Sequence, residues 1–195
     1  MNPLELVSPS RFQAARWLRG AHRQTIWPLL IKGPLPPYRR QRWDTPDGDF
    51  IDLDWVDGVP GQPCVVLFHG LEGSSNSAYA RALMRAIHAR GWHGVVVNFR
   101  GCSGESNRLP RAYHSGDATE VDWIVRRLHA LRWPALFATG VSLGGNVLLK
   151  WLAENAPADQ AAGLLNAAAT VSAPVDLAAA ESELARGVKR AYVRY

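Results

Sequence analysis

Two short stretches of the chain, Cys64 to Phe68 (CVVLF) and Gly94 to Phe99 (GVVVNF), are apolar with almost no polar alternation. Runs of this length mark strands buried on both faces of a parallel sheet. Between and after them the period becomes helical. From Ser77 onward Ala80, Leu83, Met84 and Ile87 recur on one face, and Gly91 offers a left-handed stop. A second helix opens at Ser115 and Asp117 and carries Val121, Ile124, Val125, Leu128 and Leu131 along one stripe. Ala135 to Val141 then reads as a strand, Gly145 to Glu154 as a helix, Ala167 to Ser172 as a further strand, and Leu177 to Tyr195 as a helix spaced by Leu184, Val188 and Tyr192. Strand and helix alternate, which predicts an α/β domain with a mostly parallel sheet and helices on both faces.

The N-terminal part is patterned differently. Arg39 to Thr45 and Phe50 to Trp55 flank Pro46, Asp47 and Gly48, turn chemistry that predicts a hairpin. Before them Gly33 to Pro37 (GPLPP) is a connector, and Ser10 to Ile31 mixes helical spacing (Phe12, Ala15, Trp17, Leu18) with Trp27 and basic residues. The expected organisation is one domain over 1–195: a helical arm and connector at 1–36, packed on a sheet core at 37–195. No internal repeat or low-complexity tract interrupts it.

Composition narrows the class. With 47% hydrophobic and 20% charged residues the chain is an ordinary globular one. No stretch reaches the roughly 18 consecutive apolar residues of a membrane span, and Met1 to Phe12 lacks the charged start and apolar run of a secretion signal, so a cytoplasmic protein is expected. The net charge of +5 is carried almost wholly by arginine, with lysine only at Lys32, Lys150 and Lys189. These charges are scattered along the chain, which argues against a nucleic-acid partner. Cys64 and Cys102 fall at opposite ends of two segments read as adjacent parallel strands. Their separation of roughly 20 Å excludes a disulfide, whose Cα atoms lie within about 7 Å, and both are expected as free thiols.

The chemistry is concentrated at Gly140-Val141-Ser142-Leu143-Gly144, a G-x-S-x-G at the junction of a predicted strand and a predicted helix. A sharp strand-to-helix turn strains Ser142 and brings helix and strand together, so a side chain at Gly140 or Gly144 would clash. Ser142 would then stand at the top of the sheet, beside a helix N-terminus that favours an oxyanion. The pattern alone is a weak signal in a chain with 17 glycines, but its context strengthens it. The loop after the first buried strand, Phe68-His69-Gly70-Leu71-Glu72-Gly73, is where such a fold supplies its other oxyanion donor. The expected donors are the Leu71 and Leu143 backbone amides, with His69 and Gly70 shaping the loop. His69 taken alone reads as well as a hydrogen-bonded structural histidine. No phosphate loop, dinucleotide fingerprint or paired Cys/His spacing is present, so no cofactor and no metal are expected.

HGLEGSSNS (69–77), NFRGCSGESNRLPRAYHSGD (98–117), GVSLGGN (140–146) and VSAPVDL (171–177) together resemble the YheT-like alpha/beta hydrolases, and RGAHRQTIWP (19–28) resembles that family's N-terminal segment. The resemblance implies an alpha/beta-hydrolase fold and a carboxylesterase or lipase-like enzyme acting through Ser142 on a small-molecule ester of short to medium chain, with an aspartate and a histidine as partners.

One part of the pattern is absent. In this fold the order is Ser, then Asp or Glu, then His, yet all six histidines (His22, His69, His88, His93, His114, His129) precede Ser142. The substitutes are poor. His114 lies in the loop after Gly94–Phe99, but the matching position in YheT-like proteins is not the base, and Asp176 belongs to the VSAPVDL match, which reads as structural. The expectation is a C-terminally truncated hydrolase domain, inactive or weak by itself. Two other readings stay open: an acyltransferase on the same scaffold, and a non-catalytic interaction module that self-associates through an exposed sheet edge.

Overall fold

The computed structural model describes residues 11–155 and 163–184. Among them six strands form one sheet: β1 (Arg39–Asp44), β2 (Phe50–Val56), β3 (Cys64–Phe68), β4 (His93–Asn98), β5 (Leu136–Val141) and β6 (Ala167–Val171), in the spatial order β1-β2-β4-β3-β5-β6. The hairpin β1–β2 pairs antiparallel with itself and with β4, whereas β4, β3, β5 and β6 run parallel. The helices are α1 (Ala21–Leu30), α2 (Ala78–His88), α3 (Ala118–His129), α4 (Leu143–Asn155) and α5 (Leu177–Leu184).

Alternation within the buried strands sends neighbouring side chains to opposite layers. Val66, Phe68, Val95, Val97 and Ala138 meet the apolar stripes of α3 and α4 on one face. Val65, Leu67 and Val96 meet Ala80, Met84 and Ile87 of α2 on the other. The sheet is therefore covered on both sides, as its apolar runs require. Helix α3 is capped at Asp117, whose carboxylate accepts the Glu120 amide, and Trp151 of α4 reaches across to Asp122 of α3 with a 3.0 Å hydrogen bond. Helix α4 begins at Leu143, two residues before the sequence expectation, because the Asn146 amide already donates to Ser142 O at 3.0 Å. The predicted continuation of the last helix to Tyr195 lies outside the described residues beyond Leu184, as do the first ten residues of the arm.

The arginines sort by region. In the β1–β2 register Arg40 faces Asp54 and Arg42 faces Asp52, and each guanidinium makes a bidentate pair at 2.8 Å with its cross-strand carboxylate. Asp52 and Asp54 are buried by this cover. Arg100 is buried too and joins Asp47, Asp49 and Glu120, while Arg111 holds Asp117. Asn107 closes the same cluster by donating to Asp49 and to Phe50 O. The loop after β4 is thereby fastened to the hairpin.

The arm contains a 3-10 turn (Arg16–Leu18) and α1. It lies over α2, where Arg81 donates to Gly33 O at 3.2 Å. Its large apolar side chains nevertheless stay outward: Trp17, Ile26, Trp27, Leu30, Ile31 and Leu35 are all exposed.

Candidate active site

Strand β5 ends at Val141 and α4 starts at Leu143, so Ser142 alone makes the turn, with φ +51°. A β-carbon-bearing residue enters this left-handed region at a cost and stays there only when its surroundings impose it. Here they do. A Cβ on Gly140 would stand 2.6 Å from Gly144 O, and one on Gly144 would stand 2.3 Å from Phe68 O and 2.4 Å from His69 O. Helix, strand and the neighbouring strand end thus meet with no room for a methyl group. The Ser142 amide donates to Val171 O of β6 at 2.9 Å, which completes the frame.

The β3–β5 register pairs Phe68 with Gly140, so the loop 69–73 emerges beside Ser142. A Cβ on Gly70 would lie 3.1 Å from Ser142 Cβ and 3.8 Å from its Oγ. The loop's shape is fixed by side chains behind it. His69 is fully buried, its Nε2 accepts the Phe99 amide at 3.0 Å, and its Nδ1 therefore carries the proton and donates to Gly70 O at 2.7 Å. Burial pushes its pKa down to about 4. A neutral imidazole with both nitrogens engaged cannot take a proton from Ser142, so its place is that of the structural histidine. Tyr79 Oη accepts the Gly70 amide at 3.0 Å, and Tyr113 Oη accepts the Glu72 amide at 2.7 Å. Among the described residues the Leu71 and Leu143 amides, by contrast, donate to no protein group. The sequence reading missed Tyr79 and Tyr113, since nothing in local spacing shows that their hydroxyls return to this loop.

A cleft of about 570 Å³ opens over Ser142, walled by Leu71 and Gly73 on one side and by Thr25, Pro28 and Lys32 of the arm on the other. Neither sequence-derived substitute completes a catalytic set. His114 is exposed and its Nδ1 accepts the Gly116 amide at 3.1 Å. Asp176 accepts the Ala179 amide at 2.9 Å, as the N-terminal cap of α5. Among the described residues Ser142 Oγ has no histidine or carboxylate partner. Cys64 and Cys102 are both free, and burial pushes the Cys64 thiol up to about 12.

The family model of the alpha/beta hydrolase fold matches residues 63–192, which take in β3, the turn at Ser142 and everything between. The chain belongs to the alpha/beta hydrolase fold family. Within it, the chain is 43% identical over 201 residues to YheT of Escherichia coli (strain K12), named as a candidate esterase; the match takes in 98% of this chain and 56% of YheT. It is 33% identical over 166 residues to phospholipase ABHD3 of Bos taurus, across 80% of this chain and 39% of that one. An esterase of Pyrococcus furiosus, Pf2001, superposes with a TM-score of 0.62 at 17% identity, over 77% of this chain and 57% of that structure, and shares the fold. The chain thus spans little more than half of YheT and about two-fifths of ABHD3. In alpha/beta hydrolases the oxyanion donors are the amide after the nucleophile and one from the loop after the first parallel strand. In this chain Leu143 follows Ser142 and Leu71 lies in the loop after β3.

Proposed function

We propose that this chain carries the nucleophile and oxyanion site of a cytoplasmic serine-type hydrolase that cleaves small carboxylic esters of short to medium chain. The observation that carries the reading is the strained turn at Ser142 beside two undonated amides. In the reaction Ser142 Oγ attacks the ester carbonyl carbon, and the carbonyl oxygen becomes an oxyanion between the Leu71 and Leu143 amides. Collapse expels the alkoxide and leaves acyl-Ser142, which water then hydrolyses. Each half-reaction needs one group that takes a proton from the attacking oxygen and returns it to the leaving one, the role of the histidine that the Ser-acid-His order of the family puts after Ser142. All six histidines of this sequence precede Ser142.

A neutral serine without its base retains only the rate gained from oxyanion stabilisation and binding, a loss of roughly 10⁴-fold or more. The test is to assay the 195-residue chain and the longest product of its reading frame with p-nitrophenyl esters and a fluorophosphonate probe. The longer product should hydrolyse and label, S142A should do neither, and the short chain should be nearly inert. Robust Ser142-dependent turnover by the short chain would overturn the need for an external base, and failure of both chains to label would overturn the hydrolase reading. Capture of acyl-Ser142 by an alcohol in place of water would make the same machinery an acyltransferase, which product analysis with added alcohol resolves. The interaction-module reading draws support from β6, whose side chains are mostly exposed at the sheet edge. It would replace the hydrolase reading if no form labels and the chain pairs through that edge.

A further inference from the structure

The arm over α2 combines two properties that the rest of the surface does not require. From Leu6 to Trp43 the sequence contains no acidic residue, while the arm itself carries Arg11, Arg16, Arg19, Arg23 and Lys32. All five are exposed, and among the described residues none is in an ion pair, unlike Arg39, Arg40 and Arg42 just beyond them. Interleaved with these cations are the exposed side chains of Trp17, Ile26, Trp27, Leu30 and Ile31. Trp17 and Trp27 pack edge to face with centroids 4.7 Å apart and help line an apolar groove of about 330 Å³. Nothing in α1 meets the length needed to span a bilayer.

We propose that this arm is a docking surface for a bilayer rich in anionic phospholipid. Tryptophans favour the headgroup level, where the ring sits in the acyl boundary and the indole N–H stays wet. Arginine and lysine beside them lay their aliphatic stems on apolar material and keep their charge in the headgroups. Aromatic residues among cations without a compensating anion are the pattern of a segment lying in the interface, and short range attraction to anionic lipid adds to the apolar contact. Two other occupants fit less well. Docking of a second copy arm to arm would set two unneutralised cationic surfaces against each other, and a protein partner would have to offer acidic and apolar residues in the same interleaved order. The arm also walls the cleft over Ser142 through Thr25, Pro28 and Lys32. A surface-bound chain would therefore hold that cleft at the lipid boundary, a consequence that rests on the hydrolase reading, whereas the docking itself does not.

The experiment is co-sedimentation of the 195-residue protein with vesicles of phosphatidylcholine alone and of equimolar phosphatidylcholine and phosphatidylglycerol, at low and at physiological salt. Binding should appear on the anionic vesicles, weaken with salt, and fall about fivefold for each cation removed in R16E, R19E and the double variant. Trp17→Ala and Trp27→Ala should weaken it as well, and S142A should bind like the unaltered chain, which separates this surface from the fate of the hydrolase reading. Quenching of tryptophan fluorescence by brominated phospholipid in the unaltered protein gives a second readout that needs no variant to fold. Absence of binding, equal binding to neutral vesicles, or insensitivity to R16E/R19E would overturn the proposal. A concentration-dependent oligomer that W27A abolishes, without vesicle binding, would reassign the surface to a second copy.

Discussion

The two flanks of the Ser142 turn are finished to very different degrees. On the β4 side, the loop 100–117 is fastened by Arg100 to Asp47, Asp49 and Glu120, by Arg111 to Asp117 and by Asn107 to Asp49, with Arg100, Asp49, Asp117 and Glu120 buried. On the β6 side the strand has mostly exposed side chains, and Val171 and Val175 are 53% and 83% exposed. The loop that offers Leu71 is braced from the first flank, through His69, Phe99 and Tyr113. The contrast teaches that the loop beside Ser142 rests on a flank braced by buried charge, while the turn itself leans on an open edge through the Ser142–Val171 hydrogen bond and the β5–β6 pairing.

The strongest way to break the contrast is to unfasten the closed flank. Arg100→Met should destabilise the protein by about 3–5 kcal/mol, because it strands buried carboxylates at Asp49 and Glu120; chemical denaturation with urea would measure it, and a loss under about 1 kcal/mol would mean the cluster is not buried as described. Acid acts on the same flank through His69. Its folded pKa, about 4 against an ordinary 6.5, means the unfolded chain binds a proton that the native one refuses. Stability should be complete above about pH 6.5 and fall on the order of 3 kcal/mol as the pH drops toward 4. A melting temperature flat between these values would show that His69 is not held neutral.

A smaller effect is expected at the turn itself. Gly144→Ala places a methyl group against Phe68 O and His69 O, and should cost about 1–3 kcal/mol as the helix backs away, with a matching loss of probe labelling in the longer product. The least effect belongs to the open flank. Val175→Asp should change stability of the 195-residue chain by no more than about 0.5 kcal/mol, while raising its solubility; a large destabilisation would mean the β6 side is packed after all.

Much of this was legible beforehand for physical reasons. Strands β3 and β4 and helices α2 and α3 obey a period because burial on one or two faces demands it, and Gly140 and Gly144 could be read as contacts since only a missing side chain explains both. Other features had no local signature. Whether an arginine is paired depends on register: Arg40 and Arg42 meet aspartates that arrive ten or more positions later in the chain, whereas the arm's arginines meet none among the described residues, and both kinds look alike in a scattered count. Tyr79 and Tyr113 reach the loop only through tertiary folding, and the walling of the cleft by α1 could not be inferred from a helical pattern that stops at its own end.

The hydrogen bond from the Ser142 amide to Val171 O also sets an order of events. A chain leaving the ribosome makes β3, the loop 69–73 and the G-x-S-x-G segment long before Val171 emerges. Until β6 has been synthesised and laid beside β5, the serine lacks one of the contacts that hold its backbone at an unfavourable angle. The nascent protein therefore carries the sequence of the candidate site for some time without its full frame, which closes only with the edge strand.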